Sequence, residues 1–152
     1  TAYGDVDEAQ AVLGLARAEA ERGGELDTLL VGLERDLWVL MAELATSPDH
    51  RDRLTPGASL VTEDMVLALE GQIDAVAERF ELPTEFVVPG ENRTSATLDL
   101  GRTVVRRAER HALAAVVDGS QVVPYLNRLS DLLWALARWQ GGGSLTARED
   151  AS

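Results

Sequence analysis

Apolar residues recur along most of the chain with the three- and four-residue spacing of an amphipathic helix. The clearest run follows Gly23-Gly24, and its apolar members fall at steps of three, one and four: Leu26, Leu29, Leu30, Leu33, Leu37, Leu40, Met41 and Leu44. These steps place one broad apolar stripe along a single helical face. The stripe fades at Ser47-Pro48, so the pattern predicts one helix over this run.

Four further helices are predicted from the same spacing and from their capping residues. They are residues 3–22, a helix capped by Thr62 that ends near Glu81-Leu82-Pro83, a helix capped by Thr94 or Ser95 that runs to about Asp118, and residues 121–140 before the glycine triplet 141–143. The turn-rich stretch 48–61 is predicted to be a loop, and the stretch 85–93, EFVVPGENR, an extended loop. We therefore predict an all-α five-helix bundle over residues 1–140, followed by a polar, mobile tail over 141–152.

Composition narrows the kinds of site that the chain can hold. Its 152 residues are 45% hydrophobic and 26% charged, as expected of one globular domain, and no apolar run approaches the roughly 20 residues of a membrane span. The absence of cysteine excludes disulfides and thiolate metal sites, and two histidines are too few for a structural zinc site. The formal net charge of −12 opposes binding to nucleic acid or to an anionic membrane. We expect a cytoplasmic protein without a resident metal ion.

The basic residues are all arginines, and they are unevenly distributed. Five of the 14 fall within residues 93–110, which contain two acidic residues, so this segment carries 5 − 2 = +3 within an acidic chain. Arginine binds phosphate in a bidentate manner and stays charged near neutral pH, so the cluster suits a polyanion such as a nucleotide triphosphate. From charge alone, a helix covered with intramolecular salt bridges explains the cluster at least as well.

The helical pattern predicts where several of these side chains lie. At about 100° per residue, Arg102, Arg106 and Arg110 form a row at the border of the apolar stripe of their helix. Charges at such a border either pair with acids on a neighbouring helix or line a cleft, since burying them unpaired is costly. The last helix places Trp134 and Arg138 opposite its leucine face, and we expect Trp134, like Trp139, to pack against a neighbouring helix or subunit.

Four segments of the chain resemble, in the same order, the motifs of a known enzyme family. They are AYGDVDE at 2–8, FVVPG at 86–90, SATLDLGRTVVRRAER at 95–110 and YLNRLSDLLWALAR at 125–138. The segments are similar to recurring motifs of the ATP:cob(I)alamin adenosyltransferases of the propanediol-utilisation type, and the RRAER and NRLSD blocks are the most specific. The resemblance extends over nearly the whole chain and is weakest in residues 45–62 and after 140.

The resemblance implies an architecture and a reaction. The family folds as a five-helix bundle and assembles as a trimer with each active site between adjacent subunits. Cob(I)alamin attacks the 5′ carbon of ATP and expels triphosphate, with Mg²⁺ neutralising charge on the leaving group, and adenosylcobalamin forms. The expected partners besides ATP and cobalamin are a reductase and an adenosylcobalamin-dependent client enzyme. Catalysis of this kind depends on positioning and on charge stabilisation.

The same resemblance assigns ATP-binding roles to residues of the last two helices. Arg106 and Asn127 match the positions that hold ATP, and Arg106 would contact its phosphates. Glu109 and Arg110 match further positions of the ligand site, and Arg107 matches a structural or site-lining position.

Two other roles concern the subunit boundary and the cobalt. Arg102 matches an arginine that pairs with an aspartate of the N-terminal helix, here Asp7, in a salt bridge that shapes the site at the subunit interface. Phe86 matches an aromatic residue that displaces the lower axial ligand of cobalamin, leaving a four-coordinate cobalt(II) that is easier to reduce. For the residue alone core packing is the simpler role, whereas its FVVPG context favours the role in catalysis.

The chain departs from the family pattern at two places. Relatives begin with a Gly- and Thr-rich segment, T-x-T-G-D-x-G-x-T, that wraps the triphosphate of ATP, whereas this chain starts after it at Thr1-Ala2-Tyr3-Gly4. We expect such a loop to precede these residues, since without it the protein would not hold ATP in the family manner. The second departure is Glu91, where many relatives have a glycine, and it adds a negative charge near the expected cobalamin side.

Two alternatives stay open at the level of sequence. A binding or delivery module of the same fold would hold adenosylcobalamin or another nucleotide without turning over ATP. A purely structural bundle would use its arginines only to join subunits, and MgATP and cobalamin would then leave its thermal stability unchanged.

Overall fold

Five α-helices make up most of residues 1–148, the part of the chain that the computed structural model describes. They are α1 (Ala2–Glu19), α2 (Glu25–Ala45), α3 (Glu63–Ala77), α4 (Arg93–Ala112) and α5 (Val122–Gly141), and a 3-10 helix over Pro48–Arg53 lies within the predicted loop 48–61. The predicted all-α fold is thus confirmed. Among these helices none is both long enough and apolar enough to cross a membrane.

The helices pack side by side in the order α2, α1, α4, α5 and α3. Aliphatic side chains fill the space between them, and Tyr125 of α5 is the largest side chain that is fully buried. Its hydroxyl donates a hydrogen bond of 2.8 Å to Asp36, which joins α5 to α2 as well. Burial raises the pKa of Tyr125 well above its ordinary range, and the neighbouring Asp36 carboxylate adds to the rise. This order places α4, the arginine-rich helix, between α1 and α5.

Two helix starts test the predicted caps. The Thr62 side chain accepts a hydrogen bond of 3.3 Å from the Met65 N–H, so the predicted cap of α3 is confirmed. α4 starts earlier than predicted, because Asn92 is its cap and accepts from the Ser95 N–H at 2.8 Å. The Asn92 amide also donates to the Gln140 carbonyl at the end of α5, and the Ser95 hydroxyl donates to the Ala137 carbonyl. These contacts to α5 favour Asn92, rather than Thr94 or Ser95, as the N-cap of α4.

α3 ends four to six residues before its predicted end, and α4 about six residues before its own. After α4, Gly119 adopts a left-handed φ of 84°, and the Ser120 hydroxyl donates to the buried Glu43 carboxylate at 2.6 Å, which turns the chain back across α2. After α3, Phe80 packs edge-on against Trp134, with ring centroids 5.9 Å apart. Trp134, predicted to pack against a neighbouring helix or subunit, thus packs against the turn that follows α3.

The loop that precedes α4 is paired with the chain that follows α5. The Val88 N–H donates to the Leu145 carbonyl, and the Ala147 N–H donates to the Phe86 carbonyl, both at 2.8 Å. The two segments meet in an antiparallel bridge between residues 87 and 146. The loop is therefore held in an extended conformation beside α5.

This pairing lies within residues 141–152, which were predicted to form a mobile tail, and their mobility stays a prediction. Residues 145–147 are held by backbone hydrogen bonds, and the Leu145 N–H also donates to Glu91 Oε1 at 3.0 Å. Glu91, one of the two departures from the family pattern, thus contacts the segment after α5 through its carboxylate. The last four residues of the predicted tail, 149–152, lie outside the described residues.

Candidate functional site

A cavity of about 680 Å³ opens where the loop before α4 passes over α4 and α5. A volume of this size is typical of ligand-binding clefts. Its walls combine apolar and charged side chains: Pro83, Thr84, Glu85, Phe86, Val87, Pro89, Asp99, Arg102, Trp134, Arg138, Ala147 and Arg148. The segment after α5 contributes Ala147 and Arg148 to this lining. Its pairing with the loop before α4 therefore shapes the cavity.

Phe86 lies at the cavity with its ring exposed to solvent. Its exposed fraction is 89%, although its backbone carbonyl is fixed by the Ala147 N–H. A phenylalanine exposed to this degree adds almost nothing to the core, so the packing role that the sequence left open does not apply within the single chain. The ring is instead available to the apolar face of a ligand.

The buried wall of the cavity places one carboxylate between two guanidinium groups. Asp99 accepts hydrogen bonds from Nη2 of Arg138 and, at 3.4 Å, from Nε of Arg102. The Asp99 and Arg138 side chains are 4% and 5% exposed, and that of Arg102 is 28% exposed. The Arg138 guanidinium also lies over the Trp134 ring, 5.5 Å from its centroid. We call Asp99, Arg102 and Arg138 the Asp99 cluster, and its formal charge is +1.

The predicted ATP-binding residues lie further along α4 and on the facing side of α5. The Asn127 amide donates to Glu109 Oε1 at 3.0 Å, which joins two of these residues across the helix pair. Arg106 and Arg110 are exposed, one and two turns beyond Arg102. The structure therefore brings Arg106, Glu109, Arg110 and Asn127 together on one surface that adjoins the cavity through Arg102.

Ion pairing divides the five arginines of α4 into two groups. Arg93 pairs with Glu19 at 3.9 Å, Arg102 with Asp99, and Arg107 with Asp5 and Glu8. Arg106 and Arg110 form no ion pair with any acidic side chain of residues 1–148. The salt-bridge explanation of the cluster therefore holds for three arginines and fails for the two whose charge stays available.

The predicted pair of Arg102 with Asp7 is not formed within one chain. α1 and α4 are antiparallel, since Asp5 contacts Arg107 near the end of α4 and Glu19 lies close to its start. Arg102 is therefore displaced along the helix axis from Asp7, which is exposed, and pairs with Asp99 instead. A pair between subunits stays a prediction.

The contact between α1 and α4 centres on Asp5. His111 Nδ1 and Arg107 Nε both contact its carboxylate, the latter at 3.1 Å. Burial alone would raise the pKa of Asp5, but the hydrogen bonds with His111 and Arg107 outweigh it and hold the pKa below the ordinary 3.8. This contact fixes the start of α1 against the part of α4 that carries Arg106 and Arg110.

Two residues at the cavity were missed as site residues from the sequence, Asp99 and Arg138. Asp99 precedes Arg102 by three residues, a helical spacing at which opposite charges meet, and this signal was present. Its partner Arg138 lies 39 residues away on another helix, and no local pattern indicates that contact.

The sequence matches the model of a protein family and is similar to named proteins of other organisms. A family model described as cobalamin adenosyltransferase matches residues 1–140. The corrinoid adenosyltransferase of Mycobacterium tuberculosis is 38% identical over 160 residues, which cover 96% of this chain and 82% of the relative. The corrinoid adenosyltransferase PduO of Salmonella typhimurium is 37% identical over 140 residues, which cover 90% of this chain and 40% of the relative.

The fold is similar to solved structures of the same kind. A variant of the PduO-type ATP:corrinoid adenosyltransferase from Lactobacillus reuteri, complexed with cobalamin and ATP, matches with a TM-score of 0.83 at 27% identity, covering 97% of this chain and 82% of that chain. Another variant of that enzyme, complexed with ATP, matches with a TM-score of 0.81 at 26% identity, covering 97% and 85%. Sequence and fold therefore point to one group of proteins.

Proposed function

The chain belongs to the cobalamin adenosyltransferase family, and we propose that it transfers the 5′-deoxyadenosyl group of ATP to the cobalt of cob(I)alamin. The electron pair of the reduced cobalt forms a bond to C5′ of the ribose. The C5′–O bond breaks, its electron pair leaves with triphosphate, and adenosylcobalamin is the product. No proton is transferred in this substitution, so the protein contributes positioning and charge stabilisation.

The observation that carries the proposal is a pair of available cations beside an aromatic cavity. Arg106 and Arg110 have no acidic partner within residues 1–148, while neighbouring arginines of α4 are paired. Through Arg102 they adjoin the cavity at which Phe86 is exposed. A reaction that joins a flat apolar macrocycle to a polyphosphate needs these two surfaces side by side.

On the nucleotide side, Arg106 contacts the phosphates of ATP in this proposal. Arg110, four residues further on, adds a second charge toward the leaving triphosphate, where charge-assisted hydrogen bonds are strongest. Asn127 and Glu109 hold each other through their 3.0 Å hydrogen bond and present fixed polar groups to the nucleotide. Their preorganisation lowers the entropy that is lost on binding.

On the corrinoid side, Phe86 occupies the position of the lower axial ligand of cobalt. Val87, Pro89 and Trp134 add apolar surface to the cavity beside it. Cobalt(II) without a lower ligand is four-coordinate and easier to reduce to the nucleophilic cob(I) state. The backbone hydrogen bond from Ala147 to Phe86 keeps the ring at the cavity rather than in the core.

We also propose a homotrimer whose active sites lie between subunits. Asp7 is exposed and free to approach Arg102 of an adjacent subunit, which is half-buried beside the cavity. Leu15 on α1 and Leu100 on α4 are 60% and 51% exposed, as expected of side chains that a neighbouring subunit covers. Light scattering should give about three times the chain mass of 16.4 kDa, and a monomer would contradict this assembly.

Magnesium enters this proposal with ATP. Residues 1–148 contain no group of three or more His, Cys, Asp or Glu side chains that could hold a metal ion. These residues therefore do not fit a magnesium site built by the protein alone. Mg²⁺ is commonly bound through substrate phosphates, and we expect it to arrive on ATP in that way.

Partners and location follow from the redox state of the substrate. Cob(I)alamin forms by one-electron reduction of cob(II)alamin, so we propose that a reductase supplies the electron. The product is a cofactor rather than an end product, and we propose that an adenosylcobalamin-dependent enzyme receives it. We also propose a cytoplasmic location, where ATP is available as co-substrate.

An anaerobic assay tests the proposed function. Chemically reduced cobalamin and MgATP are mixed with the protein, and loss of the cob(I)alamin absorbance is compared with release of triphosphate. We expect both to proceed in a ratio of about one to one, as the balanced reaction requires. Binding of both ligands without either change would contradict the proposal and indicate a delivery module.

A further inference from the structure

Arg138 is the most buried cation at the cavity, and most of its hydrogen-bond donors are unused. Its side chain is 5% exposed, and its one hydrogen bond within residues 1–148 goes to Asp99. A guanidinium group has five N–H donors, so several remain without a partner in the described part of the chain. The residue lines the cavity, where such donors meet a ligand.

The position of Arg138 is fixed from two directions. Asp99 holds one of its terminal nitrogens, and the Trp134 ring lies 5.5 Å from the guanidinium carbon. Trp134 is in turn held by its edge-on contact with Phe80. A cation held in this way binds a ligand group without a further loss of side-chain entropy.

The charges that line the cavity leave a positive excess at this wall. The lining contains three arginines and two carboxylates, so its formal charge is 3 − 2 = +1: Arg102, Arg138 and Arg148 with Glu85 and Asp99. Glu85 lies 4.0 Å from Arg148, which leaves Asp99 as the single carboxylate for Arg102 and Arg138. The Asp99 cluster therefore attracts an oxygen acceptor from the ligand.

We propose that Arg138, positioned by Asp99, binds an oxygen acceptor on the periphery of the corrinoid and so helps to select the corrinoid substrate. The proposal rests on the adenosyltransferase function proposed above. Two parts of a cobalamin offer this chemistry: the carboxamide side chains around the corrin ring and the phosphodiester of the nucleotide loop. Both accept hydrogen bonds from a guanidinium group.

The test requires a variant that removes the charge without leaving a buried partner unpaired. Arg138→Gln alone would leave the buried Asp99 carboxylate with only its longer contact to Arg102, which would destabilise the fold. The double variant Asp99→Asn/Arg138→Gln replaces the ion pair with two neutral amides that can bond to each other, and the amide at position 99 keeps an oxygen acceptor for Arg102 Nε. Its matched control is Asp27→Asn/Arg17→Gln, which removes an ion pair of 2.6 Å between α1 and the start of α2, away from the cavity lining.

Steady-state kinetics with two corrinoids separates the two sources of the acceptor. KM is measured for cobalamin, for cobinamide, which lacks the nucleotide loop, and for ATP. In the cavity variant we expect the KM for cobalamin to rise about tenfold to a hundredfold, and that for ATP to stay within about twofold. A rise with both corrinoids identifies a ring carboxamide, and a rise with cobalamin alone identifies the phosphodiester.

Two results would overturn the assignment of Arg138. One is an unchanged KM for both corrinoids, and the other is an equal rise of the ATP and corrinoid KM values, which is what general loosening of the fold produces. If the wild-type protein shows no turnover, the proposed function fails separately. Spectroscopic titration of cob(II)alamin binding to the same variants then decides the role of Arg138, with a weaker affinity in the cavity variant alone as the supporting result.

Discussion

At the scale of single residues, a substitution of Arg106 tests ligand binding apart from folding, because its guanidinium group has no acidic partner within residues 1–148. We expect Arg106→Ala to lower kcat/KM for ATP about tenfold to a hundredfold, as loss of a charge-assisted hydrogen bond predicts. Its thermal stability should match that of the wild type, since exposed side chains without contacts contribute little. The control is Arg93→Ala, which removes another exposed arginine of α4. Wild-type kinetics in the Arg106 variant would refute its assignment.

Phe86 allows an equally direct test at the cobalt. Because the ring is 89% exposed, Phe86→Ala should keep its stability and its affinity for ATP. We predict that the absorption spectrum of bound cob(II)alamin loses the signature of the four-coordinate state. Leu82→Ala is the control, since Leu82 is an apolar residue 72% exposed in the same connection between α3 and α4. A four-coordinate spectrum in the Phe86 variant would refute the proposed role of this residue at the cobalt.

At the scale of elements, the contact between α1 and α4 depends on pH through Asp5. Its folded pKa lies below the ordinary 3.8, so its charged form is bound more tightly in the folded state. The resulting stability is present above the unfolded pKa and is lost as the pH falls through the folded pKa. We expect Asp5→Asn to be less stable than the wild type near neutral pH, and the difference to shrink in acid. Urea unfolding at a series of pH values measures this difference in the free energy of unfolding, with Asp49→Asn as control. A difference that stays constant with pH would contradict the prediction.

The segment after α5 depends on Glu91. Replacing it with alanine removes the acceptor for the Leu145 N–H and should release the pairing of residues 145–147 with the Phe86 loop. We predict that exchange of the Leu145 and Ala147 amides accelerates about fivefold or more, as expected for a net loss near 1 kcal/mol. Glu91→Gln retains an acceptor oxygen and is the control. Equal exchange in the alanine variant and the wild type would show that Glu91 does not hold this segment.

Local signals in the sequence predicted the helices, whereas contacts between distant residues decided the start of α4 and the cavity wall. The apolar spacing of α2 and the Thr62 cap of α3 depend on neighbours within a few residues, and both are found in the structure. The cap of α4 was misplaced because Asn92 gains a bond to α5, 48 residues away. Arg138 was missed as a site residue for the same reason.

At the scale of the whole molecule, charge directs the nucleotide to one surface. The chain carries −12, while residues 93–110 carry +3, so the remainder carries −15 and repels a triphosphate. Three of the five arginines in this segment form ion pairs with acids of the chain itself. Arg106 and Arg110, beside the cavity at Phe86, are therefore expected to attract the nucleotide most strongly, and this attraction should weaken as ionic strength rises.

A single-turnover experiment with ATP that carries carbon-13 at C5′ tests the central claim most directly. The protein is mixed anaerobically with cob(I)alamin and the labelled ATP, and the corrinoid product is isolated and examined by carbon NMR. The account predicts that the label is bonded to cobalt in the product and that triphosphate is released. Label that remains in an adenine nucleotide, with the cobalamin unalkylated, would contradict the transfer of adenosyl to cobalt.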